Sequence, residues 1–376
     1  RLRNHRSGIR VPDAVCRHLP GRDRVPISRK PGLAWSSFRS VCCDDSLKPF
    51  LIEKSKMSTD RLFRVVADGP LAPIITDTLS DLVEWLPWEV AVNGISTTDG
   101  PVDGVYTYGH PHLDGAMLDR LPGVKVISNY GVGVDHINVP DAVARGIPVG
   151  NTPGILNGAT ADMAFTLLMA GARRLMEGDR YARSPEFTVY DPGYMLGREV
   201  HGATLGIIGM GRIGEQIARR ASGFDMTVLY HNRNRNESAE QTLGVRYSDR
   251  DDLLRQSDFV VLSVPLTAET EGMIGSEEFS LMKSTATLIN VARGPVIQTE
   301  ALTSALQQKT IYAAAVDVTD PEPLPRDHPL LALDNFTIAP HLGSATEQTR
   351  QRMAEISIEN LRLGLRGEPL QHVVST

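Results

Sequence analysis

The chain has 376 residues, enough to bury more than one sizeable core, and its 41% apolar and 22% charged residues describe an ordinary globular protein. The net charge of −6 is uneven: residues 1–56 carry 13 Lys/Arg against 5 Asp/Glu, so the other 320 residues sum to −14, which argues against a body built to grip nucleic acid or an anionic membrane. All three cysteines (Cys16, Cys42, Cys43) fall in that basic stretch, so the remainder has no disulfide framework and no cysteine metal ligands; no metal is expected, and a reducing, cytoplasmic setting suits the pattern.

Residues 1–56 start with Arg1, are rich in Arg, Ser and Pro, and lack a sustained apolar period. They read as a disordered or non-native extension. Organellar targeting stays open, although Asp13, Asp23, Asp44 and Asp45 are unwelcome in a transit peptide. From Met57 onward, short β-branched runs alternate with amphipathic stretches, the mark of parallel βαβ construction. Strands are expected at 62–66, 104–108, 125–128, 204–208, 227–230, 259–264, 287–291, 313–316 and 336–339, and helices at 211–222, 277–282, 299–307 and 347–365. The most apolar helix candidate, 159–176, is interrupted by Asp162 and closed by Arg173 and Arg174. A bilayer needs about 20 uninterrupted apolar residues, so this is a buried helix and no membrane span is expected.

In the middle of the chain, an apolar strand runs into G-x-G-x-x-G at Gly209, Gly211 and Gly214. The first glycine permits a tight turn, the second lets backbone approach a pyrophosphate, and the third lets helix and strand pack closely. The helix that starts near Arg212 and Ile213 offers unpaired N–H groups and a positive dipole end. The following strand leads into His231-Asn232-Arg233-Asn234-Arg235, without the acidic residue that usually accepts from a ribose 2′-hydroxyl. Arg233 and Arg235 could instead pair with a 2′-phosphate; a solvated basic loop is the bland alternative. The expected cofactor is NADP, with NAD possible.

An early α/β unit of about 100 residues thus precedes the unit with the nucleotide turn. A last helix returning to the first unit would make that unit discontinuous. The expected division is 57–156 plus 342–376 for substrate binding and 157–341 for dinucleotide binding.

Three polar residues follow three successive apolar strands. Arg293 ends 287–293, Glu322 sits in Asp-Pro-Glu-Pro after 313–318, and His341 ends 336–341. Open α/β sheets bind ligands beyond the carboxyl ends of their strands, so the three could meet beside a nicotinamide. Reduction of a 2-oxo acid needs a fork to hold carboxylate and carbonyl, a proton donor that titrates near neutrality, and a carboxylate that keeps the donor charged. Arg293, His341 and Glu322 supply these, and Asp317 could accept from the nicotinamide amide. Singly, each is better explained as an ion pair, a satisfied histidine or a rigid turn; together, downstream of a nucleotide turn, they point to catalysis. In Asn129-Tyr-Gly-Val-Gly-Val-Asp-His136, the backbone around Val132 and Gly133 could cradle a carboxylate.

The pieces LGIIGMGRIG, INVARG, VDVTDPEPLP and APHLGSAT, supported by NYGVGVDHIN and NTPGILNGATAD, resemble the D-isomer-specific 2-hydroxyacid dehydrogenases, and among them the glyoxylate/hydroxypyruvate reductases, over residues 60–376. The resemblance implies two Rossmann-like, doubly wound parallel-sheet domains with the active site in the cleft between them, assembled as a homodimer. It implies Arg293 as substrate binder, His341 as acid/base with Glu322 as its partner, Val132 and Gly133 as carboxylate holders, and Thr160 with Val264 and Pro265 lining the cofactor. Asp162 stands where the family more often has Glu. The loop Tyr108-Gly-His-Pro-His112 departs from the pattern and leaves glyoxylate, hydroxypyruvate and 2-ketogluconate open as substrates. Two other readings remain: an NAD-linked dehydrogenase of the same family, and a dinucleotide-sensing scaffold similar to the corepressors that keep this fold.

Overall fold

A computed structural model describes residues 61–95 and 100–375; the expectation for residues 1–56 lies outside this range. Two wholly parallel sheets organise it. The first is built from β1 (Phe63–Ala67), β2 (Val83–Pro87), β3 (Gly104–Thr107), β4 (Val126–Asn129) and β5 (Val149–Gly150), in the order β2-β1-β3-β4-β5. The second contains β6 (Thr204–Ile208), β7 (Thr227–His231), β8 (Arg246–Tyr247), β9 (Phe259–Leu262), β10 (Thr287–Asn290), β11 (Ala313–Val316) and β12 (Phe336–Ile338). Its order, β12-β11-β10-β9-β6-β7-β8, reverses direction between β6 and β9. At such a switch point the crevice beyond the strand ends is free to take a ligand.

Both sheets are covered on both faces, which explains the continuous apolar runs of their central strands. Along β6, Leu205 and Ile207 face one core layer and Ile208 the other; Val65 and Val66 in β1 part in the same way. The helix Asn157–Ala172 lies against β10 and β11 with nine buried residues, so it is the buried helix the sequence suggested. The final helix, Glu347–Leu365, packs on β4 and, through Met353, Ile358, Leu361 and Leu365, closes one face of the first sheet. Leu361 is fully buried; truncating such a residue to alanine costs roughly 2–5 kcal/mol. Among the described residues no helix is long and apolar enough to cross a membrane.

Candidate active site

The glycine turn follows β6. Gly209 has φ +106°, and a Cβ there would come 2.7 Å from the Ser263 carbonyl oxygen and 2.8 Å from the Val264 nitrogen. It therefore serves both the left-handed backbone and the close pass of the loop after β9, which carries Val264 and the exposed Pro265. A Cβ on Gly214 would overlap the Gly209 carbonyl oxygen, so the third glycine lets the helix Arg212–Ala221 sit down on the turn. Gly211 differs: a Cβ there meets open space, so no protein atom demands glycine. The N–H groups of Gly211, Arg212 and Ile213 donate to no acceptor among the described residues. A free helix start beside an empty approach fits a pyrophosphate.

Beyond β7, the Asn232 side chain ties the turn down: its Oδ1 accepts from the Met210 N–H at 2.6 Å and its Nδ2 donates to the Met210 carbonyl at 3.3 Å. The two arginines part company. Arg235 donates through Nε and Nη2 to both oxygens of Glu240, at 2.6 and 2.7 Å. That fork, with the Tyr230 hydroxyl on the same carboxylate, holds Glu240 down to about 2. Arg233 is exposed and makes no hydrogen bond or ion pair among the described residues.

The backbone around Val132 and Gly133, the expected carboxylate cradle, is held by side-chain amides that turn its carbonyls away. Asn129 at the end of β4 donates through Nδ2 to the carbonyls of Gly131 (2.9 Å) and Gly133 (2.8 Å), and Asn151 donates to that of Val132 (2.9 Å). With three carbonyls turned back, the N–H groups of Val132 and Gly133 donate to no acceptor among the described residues. Successive free amides of this kind make an anion nest.

Arg293 meets this cradle from the second sheet. Asn290 caps the turn after β10, accepting from the Ala292 N–H at 2.9 Å and donating to the Arg293 carbonyl at 2.8 Å. The guanidinium Nε donates to Asp135 at 3.0 Å, while Nη2 lies so close to Gly133 that a Cβ there would collide with it. A glycine at 133 is thus needed for the arginine to reach the nest.

The imidazole of His341 bonds through Nδ1 to Glu322 Oε1 at 2.7 Å. Burial pushes the Glu322 carboxyl up, but the hydrogen bond and charge of His341 outweigh it and hold the group below its usual range. A carboxylate on Nδ1 fixes the orientation of the ring and leaves Nε2 for a substrate. His341 itself has φ +56°, a costly conformation for a residue with a side chain. The turn that imposes it is held by Asp317, buried at the end of β11, whose two oxygens accept from the N–H groups of Leu342 (2.6 Å) and Gly343 (2.7 Å). Burial nevertheless raises its carboxyl pKa. Thr160, buried in the helix Asn157–Ala172, approaches the same turn: a Cβ at Gly343 would lie 3.0 Å from Asp317 Oδ2 and 3.5 Å from Thr160 Oγ1.

Against His341 stands a residue of the loop 108–112 to which the sequence reading gave no individual role. The ring of His110, in the loop after β3, lies nearly parallel to that of His341, with centroids 5.3 Å apart and planes at 12°. His136 stands edge-on to it at 5.0 Å. Asp135 and His136 lie inside NYGVGVDHIN, where Val132 and Gly133 were singled out, yet nothing local marks the aspartate as the partner of an arginine 158 residues away. Among the described residues no group of three or more His, Cys, Asp and Glu is placed to hold a metal ion.

Comparison with known proteins identifies the family. Residues 165–343 match the family D-isomer specific 2-hydroxyacid dehydrogenase, NAD binding domain. A glyoxylate reductase of Korarchaeum cryptofilum is 50% identical over 257 residues, 68% of this chain and 77% of that protein. Among solved structures, the NADPH-dependent glyoxylate/hydroxypyruvate reductase of Sinorhizobium meliloti, in complex with NADP and malonate, superposes with a TM-score of 0.76 at 29% identity, covering 84% of this chain and 97% of that one. The D-lactate dehydrogenase of Aquifex aeolicus, with NAD and lactic acid, gives 0.74 at 28% identity, covering 82% and 98%.

Proposed function

We propose that this chain, which belongs to the D-isomer specific 2-hydroxyacid dehydrogenase family, uses NADPH to reduce glyoxylate, hydroxypyruvate or a similar small 2-oxo acid to the D-2-hydroxy acid. Membership makes it an oxidoreductase that works with a nicotinamide dinucleotide on 2-oxo acids. The observation that carries the finer reading is the meeting of the His341–Glu322 pair, 2.7 Å apart, with Arg293 at the Val132–Gly133 nest.

In this reading the substrate carboxylate is held by the N–H groups of Val132 and Gly133 together with the Arg293 fork, whose Nε is fixed by Asp135. The reduced nicotinamide supplies a hydride to the carbonyl carbon. His341 gives its proton to the oxygen as negative charge builds there, and Glu322 holds the ring in place through Nδ1. Asp317 positions the His341 turn and offers remaining lone pairs to the carboxamide; Thr160, Val264 and Pro265 line the cofactor. Arg233 is the group for a 2′-phosphate, with Arg235 held beside it by Glu240. Residues 57–156 plus 342–376 act as the substrate-binding domain and 157–341 as the dinucleotide-binding domain.

The test is NADPH and NADH oxidation with glyoxylate, hydroxypyruvate, 2-ketogluconate and pyruvate. Turnover of glyoxylate or hydroxypyruvate with preference for NADPH is expected. Cofactor binding without turnover of any 2-oxo acid would contradict the proposal and favour a scaffold.

A further inference from the structure

We infer that His110 reads the substituent beside the reacting carbonyl of the substrate and prefers a hydroxyl there to a methyl; this rests on the 2-oxo acid reading above. Its ring faces that of His341 on one side and His136 on another. A Cβ on Gly131, in the cradle loop, would lie 3.9 Å from its Nε2, so the ring spans from the nest to the proton donor. The backbone is held at φ +63°, which places the imidazole there at a conformational cost.

His110 is exposed as a residue, while its ring is flanked by those of His341 and His136. Burial first, then the charges of Arg293 and His341, push the imidazole down to about 4, so it is neutral at pH 7. Among the described residues neither ring nitrogen makes a hydrogen bond. A neutral imidazole offers one N–H donor and one acceptor.

Four donors at this centre suit anionic or developing charge: the guanidinium of Arg293, the His341 imidazole and the N–H groups of Val132 and Gly133; the carboxylates of Asp135 and Glu322 are engaged by Arg293 and His341, and both ring nitrogens of His136 are buried. They account for the carboxylate and the carbonyl oxygen, two of the three arms of a trigonal carbon. His110 is the group left over, and the third arm is the part of the substrate left over. A hydroxyl on that arm can both donate to and accept from the neutral ring. A methyl displaces water and leaves the ring unpaired, which is how polar sites reject analogues lacking a hydroxyl. A hydrogen, as in glyoxylate, leaves room for a bridging water.

The experiment compares kcat/KM with NADPH for hydroxypyruvate, pyruvate and glyoxylate in the wild type, His110→Phe, His110→Leu and His110→Asn. The wild type should favour hydroxypyruvate over pyruvate by at least about tenfold. His110→Phe, which keeps a stacking ring without polar atoms, should cut that ratio at least about fivefold, chiefly through loss on hydroxypyruvate, with glyoxylate less affected. His110→Leu should do the same without the ring, and His110→Asn should fall between. A wild type without the preference, or a ratio unchanged in both Phe and Leu variants, overturns the inference while leaving 2-oxo acid reduction in place. A wild type inert towards all three substrates overturns the functional reading and this inference with it.

Discussion

Arg233 and Arg235 stand two positions apart just beyond β7, yet Arg235 is locked to Glu240 while Arg233 makes no hydrogen bond or ion pair among the described residues. The sequence shows both arginines and the missing acid, so the basic character of this loop was legible. That Glu240 captures Arg235 was not, because a helix beginning at Glu237 had to bring it back to the strand end. Arg233→Asp should therefore lower the NADPH-to-NADH ratio of kcat/KM by at least about tenfold, the scale of one lost charge-assisted contact, while Arg235→Ala should move it less. Steady-state kinetics at limiting cofactor measure both, and an unchanged ratio in Arg233→Asp would contradict the assignment. His110 was illegible for a related reason. A histidine in a loop signals nothing until tertiary structure lays it against another one 231 residues later.

The glycines of the turn after β6 separate two demands that the motif presents as one. Gly214 answers to packing, since a methyl there overlaps the Gly209 carbonyl; Gly211 answers only to what lies outside the protein. Gly214→Ala should destabilise the fold by about 1–3 kcal/mol, the usual cost of overpacking, seen as a lowered Tm. Gly211→Ala should keep the wild-type Tm and weaken NADPH binding at least about tenfold in a fluorescence titration, the loss expected when a close charge-assisted contact is spoiled. A Gly211→Ala protein that binds normally would argue against a pyrophosphate at this turn. Three strands, β2, β5 and β8, escaped the sequence, and all three are sheet edges. Edge strands need not be apolar on both faces; Val-Glu-Trp-Leu-Pro mixes signals, and β5 and β8 are two residues each. Every central strand, buried on both faces, could be read, and of the four edges only β12 was.

Across the whole molecule, the reacting centre draws on both sheets. Arg293 to Asp135 and His341 to His110 are contacts from the second to the first. The proposed chemistry therefore draws on loops of both sheets, and the sequence could name the parts from the second but only half of those from the first. A separate surface calls for a partner. Of the fourteen large apolar side chains most exposed among the described residues, seven fall between Leu175 and Leu196, including Phe187, Val189 and Tyr190, each about half exposed or more. Such a concentration is typical of an interface, and a second copy of this chain is the occupant we propose, as the family resemblance implies. Sedimentation should give a dimer, and the double variant Val189→Asp, Tyr190→Asp should shift it towards monomer; a monomeric wild type would contradict this.

In the proposed mechanism His341 and Arg293 act on the substrate and not on the cofactor or the fold. Single-turnover oxidation of bound NADPH by glyoxylate, followed beside NADPH affinity, separates these roles. His341→Gln and Arg293→Ala should bind NADPH within about threefold of the wild type yet transfer hydride at least about a hundredfold more slowly, as loss of a general acid or a substrate clamp requires. Wild-type transfer rates in either variant, or a slow rate explained wholly by lost NADPH binding, would contradict the account.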